Sequence, residues 1–246
     1  MSDNLEHRRV EYASEGFTTK LAGADPMALF AAWYDLAATD PAIVEPNAMS
    51  LATVAEDGTP SNRMVLLKGI DMKAGSFRCF TNLRSRKARE ALQGGVAALC
   101  WWWPGPPGRE VRAVGRMREL DRDIVERYFA TRPVAAQIGA AASQQSRAVE
   151  NRASLEARIA ECSAEPPAHA PDSWGGFDLH ADELEFWQGR PGRVHDRISF
   201  LRLDEAGGIC SRAGADAAGG EAHVLAVGHE VTDAARTRWL RLRLEP

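Results

Sequence analysis

The densest chemistry in the chain lies in TNLRSRKARE, residues 81–90, where Arg84, Arg86, Lys87 and Arg89 fall within six positions. The segment follows a predicted strand and opens a predicted short helix, whose first backbone N–H groups have no intrahelical acceptor. That combination suits a phosphate, because free N–H groups, the positive helix end and charge-assisted bonds from Arg and Lys all favour an anion there. A solvated basic helix face accounts for the same pattern with even weight.

Three further segments carry candidate groups. RMVLLK, residues 63–68, sets Arg63 and Lys68 five apart at the ends of a predicted strand. Odd spacing sends two strand side chains to opposite faces, so one can reach a cofactor phosphate and the other a substrate; two strand-end charges in water are the plainer reading. EFWQGRPGRVHDR, residues 185–197, alternates Arg193, His195 and Arg197 beside Trp187. On a strand all three share a face, and such cations repel unless an anion or an electron-rich ring lies among them. Tyr128 and Arg132, four apart at the end of a predicted helix, present a hydroxyl and a guanidinium together. Gln145 and Ser146 open another predicted helix and can donate to a phosphate oxygen. CWWWPG, residues 100–105, reads as aromatic packing.

The elements that must hold these groups are mostly strands. Residues 1–24 are polar and turn-rich and read as an arm; the remainder, 25–246, reads as one domain. Asp25-Pro26 starts a helix carrying Leu29, Phe30, Trp33 and Leu36 at helical spacing. Strands are predicted at 49–55, 62–69, 76–81, 96–103 and 109–120, joined early on by acidic-glycine turns that suggest an antiparallel meander. Ser85 caps a helix to Gln93, Asp121 caps one through Tyr128, and Ser143–Cys162 reads as a longer helix. Strands return at 174–179, 183–187 and 198–203, a Gly/Ala-rich surface loop spans 204–222, and 223–231 and 239–244 close the chain. Without βαβ alternation, the expected fold is mainly β with peripheral helices, a β-barrel in the α+β class.

The bulk numbers agree with an ordinary globular chain: 246 residues, 45% hydrophobic, 26% charged, net charge −4. That charge gives no reason to expect nucleic acid as a partner. The opening MSDNLEHRRVEY has no apolar core, and no run approaches the roughly 20 apolar residues of a membrane span. Cys79, Cys100, Cys162 and Cys210 stand far apart without a CxxC pair, and the six histidines are scattered. A reduced, cytoplasmic protein without a metal site is expected.

Taken in order, RRVEY, ADPMALF, RMVLLKG, FTNLRSRKA, REVRAVG, YFATRP, QIGA, QQS, WGGF, EFWQGRPGRVHDR and the closing Trp239-x-x-x-Arg243-Leu244-x-Pro246 resemble the pyridoxine/pyridoxamine 5'-phosphate oxidase family. The resemblance implies a split β-barrel homodimer with FMN at the subunit interface. It implies that Arg63, Arg86 and Lys87 bind the FMN phosphate, with Gln145 and Ser146 on the same cofactor. Met64, Val65, Leu66, Phe80 and Thr81 would line the flavin, and Glu110, Trp187 and Arg197 would approach its rings. Lys68, Tyr128 and Arg132 match binders of the substrate phosphate, Lys68 reaching toward the cofactor as well. Arg193 and His195 match the residues that hold the pyridine ring. The implied reaction passes a hydride from the substrate's C4' to flavin N5, and O2 reoxidises the flavin to give H2O2 and pyridoxal 5'-phosphate.

The chain departs from that family's pattern at three positions: Ala136 where serine is usual, Glu110 for glutamine and Phe80 for tyrosine. Two other functions fit the same fold, a phenazine-type tailoring oxidase acting on another metabolite and a non-catalytic flavin- or pyridoxal-phosphate-binding protein. Lys68 speaks against the first, and the Arg193–His195 pair against the second.

Overall fold

The structure is a computed structural model that describes residues 16–246. Most of the expected arm, residues 1–15, lies outside the described residues.

The chain opens with α1 (Thr19–Ala22) and α2 (Pro26–Thr39). Asp25 caps α2 by accepting from the Met27 and Ala28 N–H groups, Pro26 occupies its first turn, and Leu29, Phe30, Trp33 and Ala37 form its buried stripe. β1 (Ala48–Val54) alternates buried Met49, Leu51 and Thr53 with half-exposed neighbours. β2 (Pro60–Leu66), β3 (Gly69–Asp71) and β4 (Ser76–Asn82) follow. α3 (Arg86–Gly94) starts where the Ser85 side chain accepts from Ala88 N–H and stops at Gly95, whose φ of 67° is left-handed. Next come β5 (Val96–Trp103), β6 (Arg109–Glu119), α4 (Arg122–Ala130), α5 (Val134–Ala142) and α6 (Arg152–Ala164). β7 (Trp174–Gln188), β8 (Asp196–Arg202), α7 (Arg212–Ala217), α8 (Glu221–Val227), β9 (His229–Thr232) and β10 (Arg238–Leu244) complete the chain.

Several boundaries differ from the sequence reading. The predicted helix 143–162 begins only at Arg152, where Asn151 caps it by accepting from Ser154 N–H; Ser143 is extended, and the Ala-rich run 134–142 forms a helix of its own that was not predicted. Gln145 and Ser146 therefore sit in the link, Ser146 at φ 70°, and do not open a helix. The two strands predicted within 174–187 are one strand of 15 residues. The Arg193–Arg197 alternation is not a strand: Pro191–Arg193 is a 3-10 turn with Arg193 at φ 62°, and only Arg197 lies in β8. The 204–222 loop contains α7 and the start of α8, because Ile209 and Ala215 join a core of Leu201, Leu203, Val224, Leu240 and Leu242. The strand predicted at 223–231 is accordingly helical up to Val227.

Strand pairing is antiparallel wherever registers are defined, and its hydrogen-bonded order runs β2-β1-β5-β6-β7-β8-β10-β9. β4 joins this order through β7 and carries β3; β2 and β9 stand at its two ends. The chain divides into two compact units. The first holds the described residues up to Ala48, Cys100–Ala113 and Asp182–Pro246. Its core packs Phe30 edge-on against Trp101 at 4.8 Å and Trp33 edge-on against Phe186 at 5.4 Å. The second holds Met49–Leu99 and Val114–Ala181, with a core of Leu120, Val125, Phe129, Ala170 and Trp174 under α4.

Candidate functional site

The second unit encloses a cavity of about 860 Å³, a size typical of small-molecule sites. β2 lines one wall with Ser61 to Leu66, Arg63 and Val65 on one side of the pleat and Met64 on the other. β2 ends at Leu66, and Lys68 lies beyond it, its backbone N–H held by the Arg78 carbonyl at 2.8 Å. The strand period therefore does not carry through to Lys68. Arg63 and Lys68 were expected on opposite faces, yet both line this one cavity.

Beside β2, β4 contributes Phe80, Thr81 and Asn82, and the start of α3 contributes Arg86 and Lys87. Of the four clustered cations only these two enter; Arg84 and Arg89 are exposed, and Arg89 donates to the Arg84 carbonyl at 2.5 Å. Two N–H groups at the start of α3 are already taken, that of Arg86 by Ser146 Oγ at 3.1 Å and that of Ala88 by Ser85 Oγ at 3.4 Å. Anion binding here thus falls mainly to side chains. Lys87 Nζ donates to Gln145 Oε1 at 2.8 Å and to Thr81 Oγ1 at 3.2 Å, which places the 143–151 link over the cluster. Burial, and then the neighbouring Arg63, lower the Lys87 pKa.

The remaining wall is aromatic. Phe80 stacks on Tyr128 at 4.0 Å and on Trp174 at 5.3 Å. Room for Phe80 comes from its partner across the ladder: Phe80 pairs with Gly176, where an added Cβ would stand 2.8 Å from the Phe80 ring. Arg132, just past α4, lies over Trp174 at 4.8 Å, and its buried Nε has no hydrogen-bond partner. Its Nη2 donates to the Ala136 carbonyl at 3.0 Å, so the main chain of Ala136 contributes although the serine hydroxyl is absent. The cavity wall therefore carries five cations, Arg63, Lys68, Arg86, Lys87 and Arg132, and no carboxylate among the described residues.

Behind the cations sits a group the sequence reading passed over. Glu90 is 4% exposed and accepts from Thr53, Ser61, Arg63 and Arg86. Its spacing of four from Arg86 on one helix face was the available signal. Burial alone would raise its carboxyl, but the Ser61 and Thr53 hydroxyls and Arg86 hold it down at about 2.

Glu110, Trp187, Arg193, His195 and Arg197 belong to the first unit. Trp187 and His195 rings lie 4.6 Å apart, and Trp187 also meets exposed Trp102 at 5.9 Å. His195 Nδ1 accepts from the Arg190 N–H at 3.2 Å, which leaves the proton of a neutral imidazole on Nε2. Arg193 is exposed. Arg197 Nε donates to Glu185 Oε1 at 2.8 Å; Arg112 pairs with Glu185 and lies 3.7 Å from Glu110. The charge of Glu110 is thus opposed by Arg112. Burial, followed by Glu110, pushes the Cys100 thiol up to about 11. Among the described residues, no group of three His, Cys, Asp or Glu side chains could hold a metal, and no helix is long and apolar enough to cross a membrane.

Comparison with known proteins adds to this geometry. Residues 37–165 match the family described as pyridoxamine 5'-phosphate oxidase. Residues 174–246 match the pyridoxine 5'-phosphate oxidase C-terminal dimerisation region. A pyridoxine/pyridoxamine 5'-phosphate oxidase of Salinibacter ruber is 45% identical, over 82% of this chain and 94% of its own length. That of Burkholderia ambifaria is 44% identical, over 80% and 92%. Among solved structures, PhzG from Burkholderia lata 383, in complex with tetrahydrophenazine-1-carboxylic acid, superposes with a TM-score of 0.75 at 23% identity, covering 95% of this chain and all of its own. A pyridoxamine 5'-phosphate oxidase-related, FMN-binding protein of Nostoc punctiforme has a TM-score of 0.59 at 17% identity, covering 74% and 92%. These two likenesses are of fold.

Proposed function

The chain belongs to the pyridoxine/pyridoxamine 5'-phosphate oxidase family, and from that premise we propose that it is an FMN-dependent, homodimeric, cytoplasmic oxidase. Its substrate is pyridoxamine or pyridoxine 5'-phosphate, its product pyridoxal 5'-phosphate, with O2 as acceptor and H2O2 released. The observation that carries this reading is the cavity wall of five cations and no carboxylate, closed on one side by stacked aromatic rings. Such a wall suits two phosphates and a flat ring.

The donor set fits FMN. Of Arg63, Arg86 and Lys87, the first two pair with buried Glu90, so two net positive charges are left for a phosphate dianion. Gln145 and Ser146 tie the covering link to Lys87 and to the Arg86 backbone. Met64, Val65, Leu66, Phe80 and Thr81 line the flavin, and Trp187, Arg197 and Glu110 approach its rings. When bound, the flavin supplies the two-electron chemistry, and the protein supplies orientation and charge. Lys68, Tyr128 and Arg132 bind the substrate phosphate; the unpartnered Arg132 Nε is a donor awaiting such an acceptor. Arg193 and His195 hold the pyridine ring, His195 offering Nε2–H while Arg190 fixes Nδ1.

The test is anaerobic: purified protein, FMN and pyridoxine 5'-phosphate are mixed and the flavin's visible band is followed. Bleaching that air reverses, with pyridoxal 5'-phosphate released, is the expected result. A band that persists with FMN bound would sink the substrate assignment and leave the cofactor.

A further inference from the structure

Glu90 touches no part of the cavity surface, yet it contacts the residues that form one end of it. Oε2 accepts from Thr53 Oγ1 and Ser61 Oγ, both at 2.5 Å, and lies 3.5 Å from Arg63 Nη2. Oε1 accepts from Arg86 Nε at 2.6 Å. Arg63 completes its bonding with the Leu51 carbonyl at 3.1 Å, Thr53 Oγ1 at 2.5 Å and Ser61 Oγ. One carboxylate thus bridges β1, β2 and α3 and faces two guanidinium groups.

We propose that Glu90 is a positioning residue that aims Arg63 and Arg86 at the cofactor phosphate and so makes the site prefer FMN to riboflavin; this rests on the FMN reading above. Two effects of a buried carboxylate oppose each other here. Its charge repels a phosphate, while its hydrogen bonds hold two cations in the geometry that phosphate requires. Geometry wins because Glu90 is fully engaged on its own side of the guanidinium groups and leaves the cavity side to the ligand. The Arg86 side chain is half exposed and has Glu90 as its anchor, so it swings into solvent when that anchor is removed. A low carboxyl pKa, about 2, keeps the anchor charged at every working pH.

The experiment measures FMN and riboflavin dissociation constants for the apoprotein by quenching of flavin fluorescence, in wild type, Glu90→Ala and Glu90→Gln. Riboflavin lacks only the phosphate. For Glu90→Ala, FMN binding weakens by about tenfold or more while riboflavin binding is unchanged, the scale expected when charge-assisted bonds lose their aim. Glu90→Gln keeps the volume and an acceptor oxygen and falls between; it also serves the comparison if the alanine variant does not fold. Equal weakening for both ligands would reduce Glu90 to a structural role and overturn the inference, as would tighter FMN binding, the signature of simple charge repulsion. If wild type itself failed to prefer FMN over riboflavin, the phosphate assignment of Arg63, Arg86 and Lys87 would fall together with this one.

Discussion

The roles proposed for Lys87 and His195 are separable. Lys87 holds Gln145 and Thr81, and burial first, then the neighbouring Arg63, lower its pKa, so its charge gains from an anion beside it. Replacing it with alanine removes a charge and unties the 143–151 link, so FMN affinity should fall by roughly ten- to a hundredfold, while flavin reduction at saturating FMN stays near wild type. His195→Ala should keep FMN and slow reduction on the order of a hundredfold, through loss of alignment. Stopped-flow reduction alongside flavin titration separates the two; an empty cofactor site in His195→Ala would refute the division. At this scale the residue types were legible in the sequence and their directions were not. By spacing the four clustered cations read alike; only the family resemblance singled out Arg86 and Lys87, the two of the four that line the cavity.

Elements decide those directions. The strands around the cavity were legible because β1 and β4 alternate or bury strictly, and Ser85 and Asp25 are strong helix caps. Misreadings arose where long-range packing overrode local pattern. Ile209 and Ala215 are drawn into a core with Leu240 and Leu242, which makes helix from an apparent loop. Lys68 leaves the strand period because β2 stops at Leu66. Ladder pairing also fixes an aromatic position that no local rule foresees: Phe80 lies opposite Gly176. Gly176→Ala would set a Cβ 2.6 Å from the Cys79 carbonyl and 2.8 Å from the Phe80 ring, so it should strain the β4–β7 pairing, displace the ring and cost about 1–3 kcal/mol of stability. Denaturant titration measures the loss, and near-UV circular dichroism reports the stack. An unchanged aromatic spectrum would show that Phe80 has room it does not use.

For the whole molecule, the consequential division is between the unit bearing the cationic cavity and the unit bearing Trp187, Arg193, His195 and Arg197. Residues 174–246 match a dimerisation region, and a cofactor lying where two copies meet is what the family resemblance implies. Co-expression of two crippled copies tests this. One copy carries Lys68→Ala with Arg132→Ala, the other Arg193→Ala with His195→Ala. If each site draws on both copies, a mixed dimer has one site with every residue intact, and random pairing restores about a quarter of wild-type activity. A mixture no more active than its components would place each site within a single chain.

The stacked rings of Phe80, Tyr128 and Trp174, with Arg132 laid across the last, have an entropic consequence. A tyrosine and an arginine free in water must each surrender rotamers when they grip a ligand, a cost of about 0.5–1.5 kcal/mol per immobilised side chain. Here that ordering is done when the chain folds, against neighbouring aromatic faces. Under the proposed assignment, a phosphate arriving between Tyr128 and Arg132 would meet side chains already at rest, and more of its contact energy would be kept as affinity.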